Sequence, residues 1–375
     1  MELNLKRPAW IEIDLSALAE NYSFIRSKIN NKTKIAAVVK ANAYGHGAVQ
    51  VAKKLSQLGV EYFCVGSPDE GIELRKAGIK KPILVLAEVL ASQYSDIIRG
   101  NLIQTAASLK TLKSLNQAGS EADKIIKIHL KFDTGMGRIG FFSDDLLEIY
   151  QLAKELKYIK IEGIFSHFAT ADEQNKEFSH LQFERFKSAL NEIEIAGFKL
   201  PQVHIANSAA VIDLENTDLD LVRPGIMLYG LPPSDQLKKD AKLKPVLSFK
   251  TKIVQLRDLP AGSAVSYGST YKTKSEEKLA VLPVGYKDGY PRLLSNRGEV
   301  LIRGQRAPIR GRVCMGQTIV SVEHIKNVEV GDEVVLIGSQ GNDKISASEI
   351  ADLCGTINYE IVCGLSERLE KVYFD

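Results

Sequence analysis

A lysine closing a continuous apolar run is the first residue in this chain whose position suggests chemistry. Lys40 follows KIAAVV (34–39), which reads as a buried parallel strand. Isolated burial of an ammonium is costly. A lysine held there keeps a fraction of neutral amine, the form that attacks aldehydes and abstracts protons. The plainer reading is a strand-end lysine reaching solvent. Other polar residues close similar runs: Arg138 shortly after KFDT, His167 in IFSHF, Asn207 and Ser208 after VHIA, and Arg223 within LVRPG. Ser208 offers a hydroxyl, and the N–H groups after it a helix start for an anion. Gly225 lets the backbone approach closely, with its own N–H and that of Ile226 as donors. An ordinary Asn-Ser helix cap and a glycine turn would look the same. A reactive lysine facing a phosphate cradle on the last strands matches pyridoxal phosphate better than either signal does alone.

The elements that must position these residues alternate along the first two thirds of the chain. LSALAENYSFIRSKI (15–29) has helical spacing, with Leu15, Leu18, Tyr22, Ile25 and Ile29 near one face. Apolar runs come next at 34–42, 62–66, 82–88, 102–107, 126–134, 161–168, 202–208 and 221–230, with helix-like segments between most of them. This is the alternation that a (β/α)8 barrel requires, with chemistry at the C-terminal ends of its strands. A doubly wound open sheet fits the pattern as well. After LPPSDQLKKDAKLKP (231–245), a Pro- and Lys-rich linker, short alternating strands broken by Gly, Pro and Asp predict a mostly β domain. The expected division is a barrel over 12–240 and a β domain over 241–375, joined by residues 1–11 because AWIEIDL alternates too.

Composition narrows the function. Hydrophobic residues at 45% and charged residues at 25% fit a globular chain rather than a disordered one. The net charge of +3 argues against a dedicated nucleic-acid binder, while a small anionic ligand needs only a few local cations. Cys64, Cys314, Cys354 and Cys363 are widely spaced. They read as reduced, mostly buried thiols with no metal-site spacing. The N-terminal residues lack the apolar core of an export signal, and no apolar stretch reaches the length of a membrane span. The expectation is a soluble cytoplasmic protein with no metal, membrane or nucleic-acid partner.

AVVKANAYGHG (37–47), HLKFDTGMGRIG (129–140), FSHFATADE (165–173), HIANSAA (204–210), VRPGIMLYG (222–230), SYGSTY (266–271), PVGYKDGY (283–290), GRVCMGQ (311–317) and INYEIVCG (357–364) together resemble, in the same order, the motifs of the alanine racemases. The resemblance runs from about residue 8 to 366. It implies the α/β barrel over the open sheet, a β domain after it, and a homodimer with shared active sites of the kind that usually supplies D-alanine as a cell-wall precursor, although a catabolic role would leave the same motifs.

It also implies roles. Lys40 is to bind pyridoxal 5'-phosphate as a Schiff base and act as one catalytic base. Tyr267, reaching the partner subunit's site, is to be the second, since racemisation needs a proton removed from one face of a planar intermediate and returned to the other. Arg138 is to hold the substrate carboxylate and support Tyr267, with His167 in the same network. Lys131 occupies the position of a lysine open to carbamylation; a plain buried ion pair is the alternative. Arg223 is to donate to the pyridine nitrogen. Because arginine does not readily release its proton, the cofactor stays a weaker electron sink, favouring reprotonation over transamination.

Tyr44, Ser208, Gly225, Ile226 and Tyr359 are to contact the phosphate, with Asn207 beside them. Met315 of the partner subunit is to approach the substrate carboxylate, and Asp172, Tyr286, Arg292 and Arg312 are to line the entrance. One departure stands out: the family usually has an acidic residue after Cys-Met, and here Gly316 takes that place. A roomier pocket accepting serine would result, unless a neighbour or water fills the space. Competing expectations are a serine or broader-specificity racemase of this fold, a decarboxylase, disfavoured by Arg223, and a non-catalytic pyridoxal-phosphate carrier, disfavoured by the retained β domain.

Overall fold

The computed structural model of the chain describes residues 5–239 and 241–375. Residues 1–4 and 240, at the edges of the expected domains, lie outside the described residues. The chain forms two compact units, one of residues 18–43 and 48–243, the other of 44–47 and 244–375 with the N-terminal segment to Ala17.

The first unit is the barrel. Its strands are Lys34–Val38, Tyr62–Val65, Ile83–Val85, Ile103–Ala106, Ile126–Asp133, Ile159–Phe165, Gln202–His204 and Leu221–Val222. Each of the eight expected apolar runs supplies one. Neighbours in chain order pair in parallel from the first to the seventh, and the eighth pairs with the first through Leu221 opposite Lys34. The seventh and eighth are joined by backbone bonds from Asp220 N–H to Val203 O (3.1 Å) and from Arg223 N–H to Ala206 O (3.0 Å). The circle therefore comes close to shutting, which an open doubly wound sheet cannot do. Helices cover it with apolar stripes: Ala48–Gln57 buries Ala48, Val51, Ala52 and Leu55, the i, i+3, i+4, i+7 spacing of one helical face. Helix Leu109–Ala122 starts on Ser108, whose side chain accepts from Thr111 N–H, an N-cap worth about 1 kcal/mol.

The second unit is mostly β. Its large sheet runs in the order Gln305–Pro308, Glu299–Ile302, Glu333–Gln340, Leu247–Lys252, Ala9–Asp14, Glu370–Phe374, with Asp343–Ile345 paired onto Glu333–Gln340. The N-terminal strand lies antiparallel to Leu247–Lys252 and parallel to Glu370–Phe374. A three-stranded sheet of Gln255–Leu259, Glu277–Leu282 and Thr318–Ser321 and a small hairpin of Ala264–Val265 with Tyr271–Lys272 complete its sheets among the described residues. Of the cysteines only Cys64 is buried, whereas Cys314 and Cys354 are half-buried and Cys363 is exposed. The expectation of mostly buried thiols is thus corrected. Cys64 alone faces a packed barrel, where burial pushes its thiol up to about 12. No helix among the described residues is long and apolar enough to cross a membrane.

Candidate active site

The first barrel strand delivers Lys40, half-buried, into an unusual turn. Ala41, Asn42, Ala43 and Tyr44 all have left-handed backbone angles, φ 51, 52, 54 and 53, each costing on the order of 1–2 kcal/mol for an L-residue. Hydrogen bonds hold the turn against that cost. Ala43 N–H donates to Val39 O (2.9 Å), and Asn42 Oδ1 accepts from Ala48 N–H (2.8 Å). The Glu70 carboxylate accepts from Ala41 N–H (2.7 Å) and Gly66 N–H (2.6 Å). These are charge-assisted bonds on either side of Lys40. The backbone that carries the amine is therefore fixed before any ligand arrives.

Side chains i and i+2 on a strand share a face, and the fifth and sixth strands use this to fill the barrel interior. Lys131 is 2% exposed. Its Nζ donates to Phe132 O (2.7 Å) and lies 5.4 Å from the Phe165 ring centre. Burial, aided by Arg223 and Arg138, lowers its pKa to about 7. Arg223, 4% exposed, sits over the same ring at 5.2 Å. Its Nη2 donates to Ser166 O (2.8 Å), Ile205 O (3.0 Å) and His167 Nδ1 (3.1 Å), and its Nη1 to His204 Nδ1 (2.5 Å). None of these bonds uses Nε. Burial holds the arginine at about 10. Since guanidinium only donates, His167 must accept at Nδ1, which puts its proton on Nε2.

His167 also reports the field at the barrel mouth. Burial and the charges of Arg223, Arg138, Lys131 and Lys40 hold its pKa well below the ordinary imidazole value. None of those four cations is in an ion pair among the described residues. Asp133, the nearest acid in chain terms, is occupied by the N–H groups of Gly135, Met136 and Arg138 (2.8, 2.7 and 3.1 Å), which hold its carboxyl below its usual range. The Arg138 side chain is exposed, and Asp172 is half-buried in the loop after the sixth strand. The mouth carries an excess of positive charge that Asp133 offsets only in part, suited to an anion.

On the last two strands the anion cradle takes a modified form. Asn207 Oδ1 accepts from Ala210 N–H (3.0 Å), capping the turn Ser208–Asp213. Ser208 Oγ accepts from Gly225 N–H (2.8 Å). The expected Gly225 donor is therefore committed internally, leaving the Ser208 hydroxyl proton and the N–H of Ile226, which opens the turn Ile226–Tyr229.

The remaining expected residues belong to the β unit. Tyr267 and Met315 are 71% and 56% exposed, on loops that lock together. Ser266 Oγ donates to Arg312 O (2.6 Å), and the guanidinium of Arg312 packs where a Cβ on Gly268 would lie, 3.2 Å away. The N–H groups of Tyr286 and Lys287 donate to Cys314 O and Met315 O (both 3.0 Å). A Cβ on Gly285 would meet Cys314 O at 2.1 Å, so this approach requires glycine. The turn bearing Tyr286 is anchored by buried Asp288, which takes Arg7 at 3.0 Å and Arg368 at 2.7 Å. Tyr286, Arg312 and Met315 thus come together with Tyr267 in one loop cluster, while Arg292 is exposed in the turn Arg292–Leu294. Tyr44 and Tyr359 pair in this unit as well, ring centres 6.1 Å apart. A Cβ built on Gly316 meets nothing within 4 Å.

Sequence reasoning missed Glu70, His129 and His204. Glu70 lies in a helix first turn, where acids are common. The two histidines sit in IKIHLK and QVHIA, and their signal was an ionisable residue in the middle of a buried run.

The alanine racemase N-terminal domain model matches residues 13–233 and the alanine racemase C-terminal domain model residues 246–373. The alanine racemase of Halothermothrix orenii is 49% identical over 373 residues, covering 100% of this chain and 98% of that protein. That of Methanococcus maripaludis is 43% identical, covering 98% and 99%. The crystal structure of alanine racemase from Bacillus anthracis with bound L-Ala-P superposes with a TM-score of 0.94 at 36% identity, covering 100% of this chain and 96% of that one.

Proposed function

The chain belongs to the alanine racemase family and is an amino-acid racemase, an isomerase, and from that premise we propose that it interconverts L- and D-alanine using pyridoxal 5'-phosphate held on Lys40. The carrying observation is Arg223: a donor-only side chain, almost wholly buried, with both Nη atoms bonded to the barrel and Nε uncommitted. A carboxylate in that place would stabilise a protonated ring nitrogen. A guanidinium would donate to an unprotonated one and leave it so, which would restrain electron withdrawal from Cα and favour return of the proton there.

The other groups fit the cofactor too. The guanidinium groups of Arg138 and Arg223, in no ion pair among the described residues, suit an anionic cofactor and a substrate carboxylate, and the Ser208 hydroxyl and Ile226 N–H suit phosphate oxygens. When bound, pyridoxal phosphate supplies an aldehyde for the amino group and a conjugated ring that acidifies the Cα proton. The chain supplies the rest. Lys40 Nζ, on its rigid turn, takes or returns the proton on one face of the substrate. Tyr267 of the partner subunit does so on the other, through its phenolic oxygen. Arg138 binds the substrate carboxylate, helped by the partner's Met315. The resemblance assigns Tyr44, Tyr359 and Asn207 to the phosphate, which their hydroxyl and amide groups would suit. Asp172, Tyr286, Arg292 and Arg312 restrict entry to small charged substrates.

The active form in this reading is a homodimer in the cytoplasm. Purified protein supplied with pyridoxal phosphate and L-alanine is expected to form D-alanine until the two enantiomers are equal. Cofactor binding without D-alanine would remove the alanine assignment.

A further inference from the structure

Beneath Arg223 lies a pair of histidines that the reaction so far described does not use. His129 and His204 are both fully buried at 0% exposure. His129 Nδ1 lies 2.8 Å from His204 Nε2, and His204 Nδ1 faces Arg223 Nη1. Because the guanidinium can only donate, His204 must accept at Nδ1 and carry its proton on Nε2. That proton is donated to His129 Nδ1, so the proton of His129 sits on its own Nε2. Protonating either ring would set donor against donor. Burial and Arg223 keep His129 neutral, at about 3, and His204 well below the ordinary value. The donors therefore run one way, from Arg223 to His204 to His129. The chain ends on a buried Nε2 with no hydrogen-bond partner among the described residues.

An orphaned buried donor is disfavoured, and the barrel is nonetheless shaped around this one. A Cβ on Gly163 would lie 2.5 Å from Cε1 and Nδ1 of His129. The pairing of the fifth and sixth strands shifts register between Ile128 and His129. Phe165 stacks on His204 with ring centres 4.9 Å apart and planes 10° from parallel.

We propose that His129 is a positioning residue for racemisation: by accepting from His204 it fixes the tautomer that gives Arg223 an acceptor, and so holds the guanidinium in one orientation toward its ligand. Without that acceptor the guanidinium hinges on Nη2 alone. The catalytic consequence rests on the proposed role of Arg223, whereas the tautomers do not.

Neutron diffraction from the deuterated holoenzyme tests the tautomers directly. Deuterium is expected on Nε2 of both rings and on neither Nδ1. Deuterium on Nδ1 of either histidine overturns the proposal, whether or not the protein racemises alanine. In turnover, His129→Leu is expected to lower kcat about tenfold, the effect of one lost hydrogen bond, with KM little changed. It should also raise the pyruvate formed per D-alanine, and His129→Asn, which restores an acceptor, should reverse both. A folded His129→Leu that keeps the wild-type product ratio overturns the proposal. Should the leucine variant not fold, His129→Asn decides: it must retain the wild-type ratio.

Discussion

Lys131 is expected to carry a carbamate. An ordinary lysine at pH 7 is neutral in about three molecules in ten thousand. With its pKa lowered to about 7, Lys131 is neutral in about half, which enriches the nucleophilic form on the order of a thousandfold. That amine attacks the carbon of carbon dioxide and loses a proton, ending as an anion near Arg138 and Arg223. The unmodified state is disfavoured in a defined way. A shift from 10.5 to about 7 means that folding with the ammonium charged costs about 5 kcal/mol. The folded pKa lies below the unfolded one, so the unfolded chain binds more protons between about pH 7 and 10.5, and stability rises with pH across that window. In buffer free of carbon dioxide, the wild-type stability in urea minus that of Lys131→Met should therefore climb between pH 7 and 9.5. Bicarbonate should flatten the slope and raise the wild-type midpoint at pH 7. Protein equilibrated with 13C-bicarbonate should show a carbamate resonance that Lys131→Met lacks. A pH-independent difference would refute the account of Lys131's burial. A resonance that survives in the variant, or none in wild type, would refute the modification.

Local geometry makes three further predictions. Gly163→Ala drives a Cβ into the His129 ring and should cost about 1–3 kcal/mol in urea unfolding, and in a His129→Ala background that cost should largely vanish. Glu70→Ala removes two charge-assisted bonds beside Lys40 and should lower stability by about 2–4 kcal/mol; dialysis should strip its cofactor faster than from wild type, and equal retention would detach Glu70 from the site. Gly316→Glu enters open space, so stability should change by less than about 0.5 kcal/mol. If the missing side chain widens the pocket, serine racemisation should fall relative to alanine, and an unchanged ratio would assign Gly316 no part in specificity.

The eightfold alternation of apolar-rich runs with helix-like segments was legible, and so was Lys40 because it closes one such run, but the choice of a barrel over an open sheet came from the resemblance alone. The turn beyond Lys40 was hidden: Asn42 tolerates left-handed backbone, but Ala41 and Ala43 carry no local signal for it, and the Glu70 carboxylate that helps hold it lies far along the chain. His129 and His204 looked like core residues because their role depends on meeting across strands distant in sequence. The commitment of Gly225 N–H to Ser208 was hidden for the same reason. Sheet order in the β unit, with Ala9–Asp14 between Leu247–Lys252 and Glu370–Phe374, is likewise non-local. Tyr267 was visible only through resemblance, since a tyrosine in a glycine loop has no pattern of its own. Its exposure, in a loop cluster held by Ser266, Arg312 and Gly285, is the physical sign that a sequence does not display.

The most direct test of the two-base account is complementation between inactive variants. Lys40→Ala and Tyr267→Phe, each assayed alone for D-alanine from L-alanine with pyridoxal phosphate, should be essentially inactive beside an active wild type. Unfolded and refolded together, they should regain about a quarter of wild-type activity, because half of the dimers are mixed and each mixed dimer holds one intact site of two. A wild type that makes no D-alanine, or a refolded mixture as dead as its parents, would contradict the assignment of Lys40 and the partner's Tyr267 to one shared site.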